Sequence, residues 1–374
     1  MIEIKRATTK RDFKKFVRFP DKLYRGNEFY VPPIEFDELN MTNPKKNACY
    51  EECEVSYFLA YKDGELVGRI SGIISHPYNK KNNAKYARFS RFECINDQEV
   101  ANKLFEAAES WAKEQGMEKI HGPLGFNDLE REGLQVEGFD VMGTFQEAYN
   151  YPYYKDLVEN AGYVPDAKWV EWRIPIPEKV NERTAKLAKY VGERYGFYEK
   201  KFKNKKEVIK NYGREFFKLL DECFVNLYGT VPFNEKLVDQ TIGLFNLVLD
   251  PDYISLVFNR EDELIGFGLG YPSLAKAMNK SHGRIFPFGW ARLLHAIKHP
   301  KVIELGLIAV KPKYQKMGVT AVIITNMMER MIKNKIQYAD TGVQLENNTA
   351  VLTSLDMFDR KLIRRKVCYI KDLK

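Results

Sequence analysis

Hydrophobic and polar positions alternate over Ile2–Ala7 as on a short strand. From Thr8 to Arg18 the period lengthens to that of a helix, with Phe13, Phe16 and Val17 on one side. Tyr30-Val31-Pro32-Pro33 then interrupts regular structure. Two alternating runs, Val55–Tyr61 and Leu66–Ile74, flank Asp63-Gly64, a hairpin signal. Tyr86–Ile95 is a further predicted strand, carrying Phe89 and Phe92. It passes through Asn96 straight into a helix with Asp97 at its cap, an apolar face of Val100, Leu104, Ala107, Ala108 and Trp111, and Gly116 at its end. Met117–His121 reads as a strand, Gly122–Gly133 as a loop rich in glycine and acids, Tyr153–Asn160 as a helix and Tyr163–Ile174 as closing strands. Pro175 and Pro177 mark a linker.

The second half repeats the plan. A strand is predicted over Tyr195–Phe202, helices over Lys205–Leu227 and Glu235–Leu249, and a hairpin of Tyr253–Asn259 and Leu264–Tyr271 around Glu261-Asp262-Glu263. Trp290–Lys298 is an inserted helix. Val302–Val310, Ala321–Lys333, Ile336–Gly342, Asn348–Phe358 and Val367–Ile370 read as strand, helix, strand, helix, strand. Each half therefore follows one order: strand, helices, hairpin, strand, helix, strand, helix, strand. The repeat lies in element order, with only slight similarity of sequence.

At 374 residues the chain is too long for one small core, and domains of about 100–200 residues predict two or three. No apolar run reaches the roughly 18 residues of a membrane-spanning helix, and the N-terminus has no apolar signal core, so the expectation is a cytoplasmic protein with no membrane partner. The five cysteines are scattered, which agrees with a reduced compartment; Cys49 and Cys53 lack a second pair or a nearby histidine to complete a zinc site. The five histidines form no cluster, so neither a bound metal nor a Ser-His-Asp arrangement is expected. The net charge of +8 admits nucleic acid, membrane or a small anion. The basic runs, Lys200–Lys206 and Arg364–Lys366, are short: they are either a solvated surface or contacts for a phosphate. No zinc finger, RNP motif or long basic helix points to nucleic acid.

Chemistry concentrates in Glu304–Thr320, ELGLIAVKPKYQKMGVT, which reads as strand, tight loop, helix. The first N–H groups of a helix lack internal partners and sit at the positive end of its dipole, so phosphate is their natural guest. The P-loop pattern G-x-x-x-x-G-K-[ST] is absent, and Gly266-Phe267-Gly268-Leu269-Gly270 lies inside a strand-like run and opens no helix. What remains, Gln315-Lys316-Met317-Gly318-Val319-Thr320 after a hydrophobic strand, resembles the Q/R-x-x-G-x-G/A loop of the GNAT (GCN5-related N-acetyltransferase) superfamily, with Thr320 in place of the usual Gly or Ala. Glu304 stands five residues before Ala309, the spacing of the acidic base in histone-acetyltransferase-like members. Downstream, Leu345-Glu346-Asn347-Asn348-Thr349-Ala350 is similar to the family's E-x-N-x-x-A segment. Together these motifs cover about the last quarter of the chain.

The resemblance implies an α/β architecture of two tandem acyl-CoA N-acyltransferase (GNAT-like) folds, each a mixed, mostly antiparallel central sheet flanked by helices, over residues 1–175 and 178–374. It implies that Gln315, Lys316, Met317, Gly318, Val319 and Thr320 hold the pyrophosphate of acetyl-CoA or another acyl-CoA, that Ala309 and Val310 offer main-chain groups to the pantetheine arm, and that Asn347 touches the coenzyme or caps a helix. In a regular strand Glu304 shares a face with Gly306 and Ile308, where partial burial suits a general base; an exposed strand end or a structural ion pair is the competing reading. The family's acidic tyrosine falls on Ser354, a poor proton donor. The first half has only Asn96-Asp97 between strand and helix, so it is expected to be degenerate for coenzyme. Asn127, Asp128, Glu130, Tyr153 and Tyr154 either surround a cationic amine or serve turn chemistry and packing.

The expected activity is acyl transfer from acyl-CoA to an amine of a small molecule or peptide. Two other readings stay open: a non-catalytic acyl-CoA-binding or regulatory protein, and a tandem aminoacyl transferase using charged tRNA.

Overall fold

The computed structural model describes residues 1–374, the side chains of Leu247 and Ala350 excepted. The N-terminal half runs β1 (Ile2–Arg6), α1 (Lys10–Leu23), α2 (Glu35–Met41), β2 (Cys53–Lys62), β3 (Glu65–Ser75), α3 (His76–Asn82), β4 (Tyr86–Cys94), α4 (Gln98–Glu114), β5 (Lys119–Gly122), β6 (Leu134–Glu137), α5 (Tyr154–Asn160) and β7 (Val164–Pro175). The C-terminal half runs α6 (Glu182–Tyr195), β8 (Tyr198–Glu199), α7 (Lys205–Phe224), α8 (Glu235–Val248), β9 (Ile254–Phe258), β10 (Leu264–Pro272), α9 (Ala275–Ser281), α10 (Gly289–Lys298), β11 (Val302–Val310), α11 (Val319–Lys333), β12 (Tyr338–Thr341), β13 (Gln344–Leu345), α12 (Thr349–Leu355) and β14 (Lys361–Asp372). The hairpin read at Asp63-Gly64 is present, with both residues at positive φ. The helix read from Asp97 begins there: its carboxylate accepts from the N–H groups of Glu99 and Val100.

In each half one helix lies flat on the hairpin, and glycines in the second hairpin strand make room for it. A Cβ at Gly72 on β3 would stand 2.6 Å from the Trp111 ring of α4, and one at Gly268 on β10 would stand 2.5 Å from Ile323 of α11. The run Gly266-x-Gly268-x-Gly270 is thus a floor for α11 and not a phosphate loop. Two apolar cores follow, one under α4 and one under α11, and a third packs α7 and α8 on the opposite face of β9 and β10.

The two halves share one sheet in the order β1-β2-β3-β4-β5-β14-β7-β12-β11-β10-β9-β8. Pairings are antiparallel except β4 with β5 and β11 with β12. The closing strands are exchanged: β14, from the end of the chain, lies between β5 and β7, and β7 joins β12 of the other half. The last strand is also longer than the Val367–Ile370 expected from pattern, because its polar residues Arg364 and Lys366 are buried rather than exposed.

Those two cations explain the burial. Arg364 Nε and Nη2 reach Glu171 Oε2 on β7 at 2.8 and 2.5 Å, and Nη1 donates to the Met142 carbonyl at 2.8 Å. Lys366 Nζ lies 3.4 Å from Glu171 Oε1 and pairs with Glu147. Buried charges of this kind are tolerated only when every partner is present. Replacing Glu171 with Leu leaves buried Arg364 without a carboxylate and Lys366 with Glu147 alone, and is expected to cost about 3–5 kcal/mol, read as a lower urea midpoint at unchanged m-value.

Candidate active site

The junction singled out in sequence forms as read. β11 ends at Val310, a short 3₁₀ turn spans Pro312–Tyr314, and Gly318 stands at φ 80° as the residue that opens α11. Among the described residues no side chain caps that helix, so its first turn keeps its donors and positive dipole end for a guest. Gln315 and Lys316 are exposed, Met317, Gly318 and Thr320 half-buried, and the Val319 side chain is sunk in the core, leaving only its main chain for binding. Gln315 Nε2 donates to the Val310 carbonyl at 3.3 Å, and the Cys223 thiol meets the same oxygen at 3.3 Å, so that carbonyl is already engaged. Ala309 and Val310 both lie beyond the last pairing of β11 with β12.

Helix α6 covers this loop. A Cβ at Gly318 would stand 2.7 Å from Val191 Cγ2 of α6, so only glycine passes beneath it at this φ. The sequence pattern had placed a strand over Tyr195–Phe202 and no helix before it; the strand is only Tyr198–Glu199. α6 buries just Thr184 and Val191, so its apolar stripe is faint, although its cap Asn181 and its terminator Gly196 were legible signals.

A cleft opens where β11 and β12 part. They pair only over Val302–Leu305 and Tyr338–Thr341. Gly306 is an extra residue against β10, where the register steps from Leu307–Leu269 to Leu305–Gly270. The expectation that Glu304, Gly306 and Ile308 share a face is therefore corrected. The bulge resets the alternation: Ile303, Leu305, Ile308 and Val310 join the core under α11, whereas Leu307 and Ala309 join the opposite core, and Glu304 lies on that opposite side beside Ser273. After Gly342 the chain abandons β11, and β13 pairs with Val170 and Trp169 of β7.

On the α11 side the cleft is a cavity of about 90 Å³ lined by Met327, Met328, Ser354 and Leu355. On the other side it is a cavity of about 160 Å³ lined by Asp128, Glu132, Glu147, Tyr228 and Tyr271. Gly306, Leu307 and Ile308 border both. Ser354 lines the first, but its hydroxyl donates to the Val351 carbonyl at 2.6 Å, which occupies the proton a relay would need. Asn347 is exposed, and the cap of α12 is Asn348, whose side chain accepts from Val351 N; the capping role read for Asn347 belongs one residue later.

The second cavity is acidic. Glu304, cross-strand from Tyr271, is not among the residues lining it and is buried; its Oε1 accepts from Ser273 Oγ at 2.5 Å and its Oε2 has no partner among the described residues. Burial, offset in part by Ser273 and reinforced by Asp340 on β12, pushes its pKa up to about 8. Burial likewise raises Glu132 well above the carboxylate range, with Asp128 and Glu147 adding to it, and raises Asp128. Glu132 Oε1 and Asp128 Oδ1 have no hydrogen-bond partner among the described residues. Glu130 is raised by burial, while Arg91, 3.4 Å away, acts against this. Glu147 is matched by Lys366. Asp128 and Glu132, both without a partner, therefore line a space that a cationic group would satisfy.

Of the remaining candidates, Asn127 is buried and its side-chain oxygen accepts from Leu129 N at 2.9 Å, shaping the turn that presents Asp128 and Glu130. Tyr153 and Tyr154 are not at this site. Tyr153 Oη donates to the Cys94 carbonyl at 2.8 Å and Tyr154 Oη bonds Cys94 N at 2.9 Å, inside the N-terminal core. Glu132, Glu147, Tyr271 and Ser273 escaped sequence reasoning. Glu132 lies in the acid-rich loop, whereas Tyr271 is brought in by the pairing of β10 with β11, Ser273 follows at the end of β10, and Glu147 comes from the loop before α5, held by Lys366.

Comparison with known proteins bears on the family and the fold. Residues 214–353 match the model of the Acetyltransferase (GNAT) family. The chain is 28% identical over 379 residues to Protein YghO of Escherichia coli K12, covering 97% of this chain and 94% of that one. It is 26% identical over 318 residues to the bacterial ceramide synthase of Caulobacter vibrioides, covering 82% and 80%. A tandem GNAT protein from the clavulanic acid biosynthesis pathway superposes over 100% of this chain and 99% of its own with a TM-score of 0.53 at 9% identity. The match to the GNAT family model covers residues 214–353, and the whole chain has the tandem GNAT fold. Proteins of this fold use acyl-CoA as co-substrate.

The Glu304 carboxyl predicts a pH signature. The folded protein keeps a proton that the unfolded chain releases above its ordinary carboxyl pKa of 4.5, so this group makes stability fall as pH rises from there to about 8. Glu304→Gln is expected to remove that slope, about 1.4 kcal/mol per pH unit for one proton, in urea titrations across this window.

Proposed function

We propose that the protein is an N-acyltransferase that moves an acyl group from acyl-CoA, bound in the C-terminal half, to the amine of a lipid-like small molecule. The observation that carries this reading is the cleft itself: one side is walled by α11 from Ile323 to Met331, the helix whose start is uncapped, and the other meets the unpaired buried carboxyls of Asp128 and Glu132. In this reading the pyrophosphate rests on the loop Gln315–Thr320 through the N–H groups of Lys316, Gly318, Val319 and Thr320, since those of Gln315 and Met317 donate to the Pro312 and Tyr314 carbonyls, and the pantetheine arm follows the free edge of β11 past Gly306. The thioester then stands at Gly306, with Glu304 two positions before it on the same strand. The N-terminal half, residues 1–175, acts as scaffold: at its equivalent junction the Asp97 carboxylate fills the helix start and pairs with Lys62 at 2.6 Å. C-terminal residues 178–374 carry the coenzyme loop.

The acceptor amine arrives as a cation and is drawn by Asp128, Glu132 and the carboxyls around them. It attacks only when neutral. Glu304 in its ionised form takes the proton, the nitrogen forms a bond to the acyl carbon, and the carbon–sulfur bond breaks to release coenzyme A thiolate, which is then protonated. A pKa near 8 suits a base working slightly above neutrality.

The acceptor's body is read from the space beyond the acids. Leu129, Glu130, Gln146 and Phe245 line both the acidic cavity and a larger one of about 490 Å³. The larger cavity is walled by Met41, Leu237, Leu244, Val248, Leu293 and Ile297. An amine with a long apolar chain fits this pair: head among carboxyls, chain among aliphatics. The likeness to a relative named a ceramide synthase supports the same class, since ceramides are N-acylated lipid amines.

Calorimetry with acetyl-CoA and longer acyl-CoAs tests the coenzyme site. Thr320→Glu puts a carboxylate in the first turn of α11, where it favours the helix but repels phosphate, and is expected to weaken binding about tenfold or more. Glu304→Gln is expected to retain binding and lose turnover about a hundredfold or more, with the alkaline rise of the pH profile gone. Binding without turnover in the unaltered protein, over a panel of lipid amines, would leave an acyl-CoA sensor instead.

A further inference from the structure

The segment from α9 to the start of β11 is built for a surface that no part of this chain provides. Phe286 is 78% exposed, Phe288 70%, Trp290 49% and Leu294 47%. These four side chains follow one another on a loop and on one edge of α10, while Leu293, Ala296 and Ile297 of the same helix pack inward against Val31, Leu274 and Met278. The exposed edge is thus not a failed core face; the helix already has one.

Charge sorts the possible occupants. From Leu264 to Ile303 there is no acidic residue, and the stretch carries six cations: Lys276, Lys280, Arg284, Arg292, Lys298 and Lys301. All six are exposed. The carboxylates facing the segment from α2 are Glu35 and Asp37; Glu35 is held by Arg18 at 2.6 Å and by Arg284 at 3.8 Å, and Asp37 lines the apolar cavity. A second copy of this segment would oppose cation to cation. An anionic bilayer surface meets both features at once: aromatic side chains enter the headgroup region, and lysine and arginine meet lipid phosphates.

Position gives the patch a use. Ile285, Trp290 and Leu294 also line the cavity of about 490 Å³, with Leu244 of α8, 46% exposed, across from them. The exposed rim and the interior aliphatic wall are one continuous apolar path. We infer that the Ala275–Lys301 segment docks the protein on an anionic membrane, with the mouth of the apolar cavity facing the lipid. No helix among the described residues is long and apolar enough to span a membrane, so the contact is one of surface insertion. This departs from the expectation of no membrane partner. It does not depend on the acyl-transfer reading, and a coenzyme-binding failure would leave it standing.

The experiment is flotation of the full chain with vesicles of phosphatidylcholine alone or mixed equally with phosphatidylglycerol. The mixed vesicles are expected to carry the protein upward, less so as salt is raised, with a blue shift in emission from Trp290, the only tryptophan of the four so exposed. Phe286→Ser with Phe288→Ser is expected to lower partitioning about tenfold or more while acyl-CoA affinity stays unchanged. Lys276→Glu with Lys280→Glu is expected to lower it on mixed vesicles without altering apolar insertion. Absence from the mixed vesicles, partitioning indifferent to both double variants, or a dimer in sedimentation that alone shields Trp290 would overturn the inference.

Discussion

Arg364 and Lys366 reach across from the last strand of the chain to Glu171 on β7 and Glu147 before α5, and the rest of the site depends on that cluster. It fixes β14 between two strands of the N-terminal half, which in turn leaves β7 free to pair with β12. With β7 available on that side, β13 follows it and the chain leaves β11 after Leu305. The cleft is a consequence of strand exchange as much as of the strand that borders it. Such a cluster adds little net stability, because the desolvation of four charges offsets their attraction. What it supplies is register, since a slip of one residue would bury the ions without partners.

The same cluster sets the electrostatics of the cavity. Lys366 neutralises Glu147 and lies too deep to reach further, with its side chain fully enclosed. Glu132 and Asp128 are therefore left without a cation, and both respond by holding protons more tightly. Glu304 is raised by a separate route, burial on the far side of the Gly306 bulge. Beyond this acidic cavity the walls turn aliphatic and then open beside exposed aromatics, so polarity falls from the acids outward.

Glycine marks three different constraints on this path, and only geometry separates them. In β10 it lowers the floor so that α11 can approach; at Gly306 it accommodates a bulge against the Tyr271 ring, 2.9 Å from where a Cβ would be; at Gly318 it supplies a positive φ beneath Val191. The spacing of the first set imitates a nucleotide-binding pattern, and its place inside a strand is what distinguishes it.

The sequence by itself determined the local features: the hairpins at Asp63-Gly64 and around Asp262, the cap at Asp97, the strand–loop–helix at Val310–Val319, and through them the repeated order that resembles a tandem GNAT fold. Each of these is written in neighbouring residues, where period, cap and turn chemistry act over a few positions. Tertiary structure decided what depends on residues far apart in the chain. The exchange of β7 and β14 rests on ion pairs separated by nearly two hundred residues, as with Glu171 and Arg364. The face on which Glu304 points was settled by one extra residue at Gly306, which only pairing with β10 reveals. The removal of Tyr153 and Tyr154 to the core, and the arrival of Glu132, Tyr271 and Ser273, followed from packing that no local period encodes. Burial then raised the carboxyl pKa values, because the dielectric around a side chain belongs to everything folded against it.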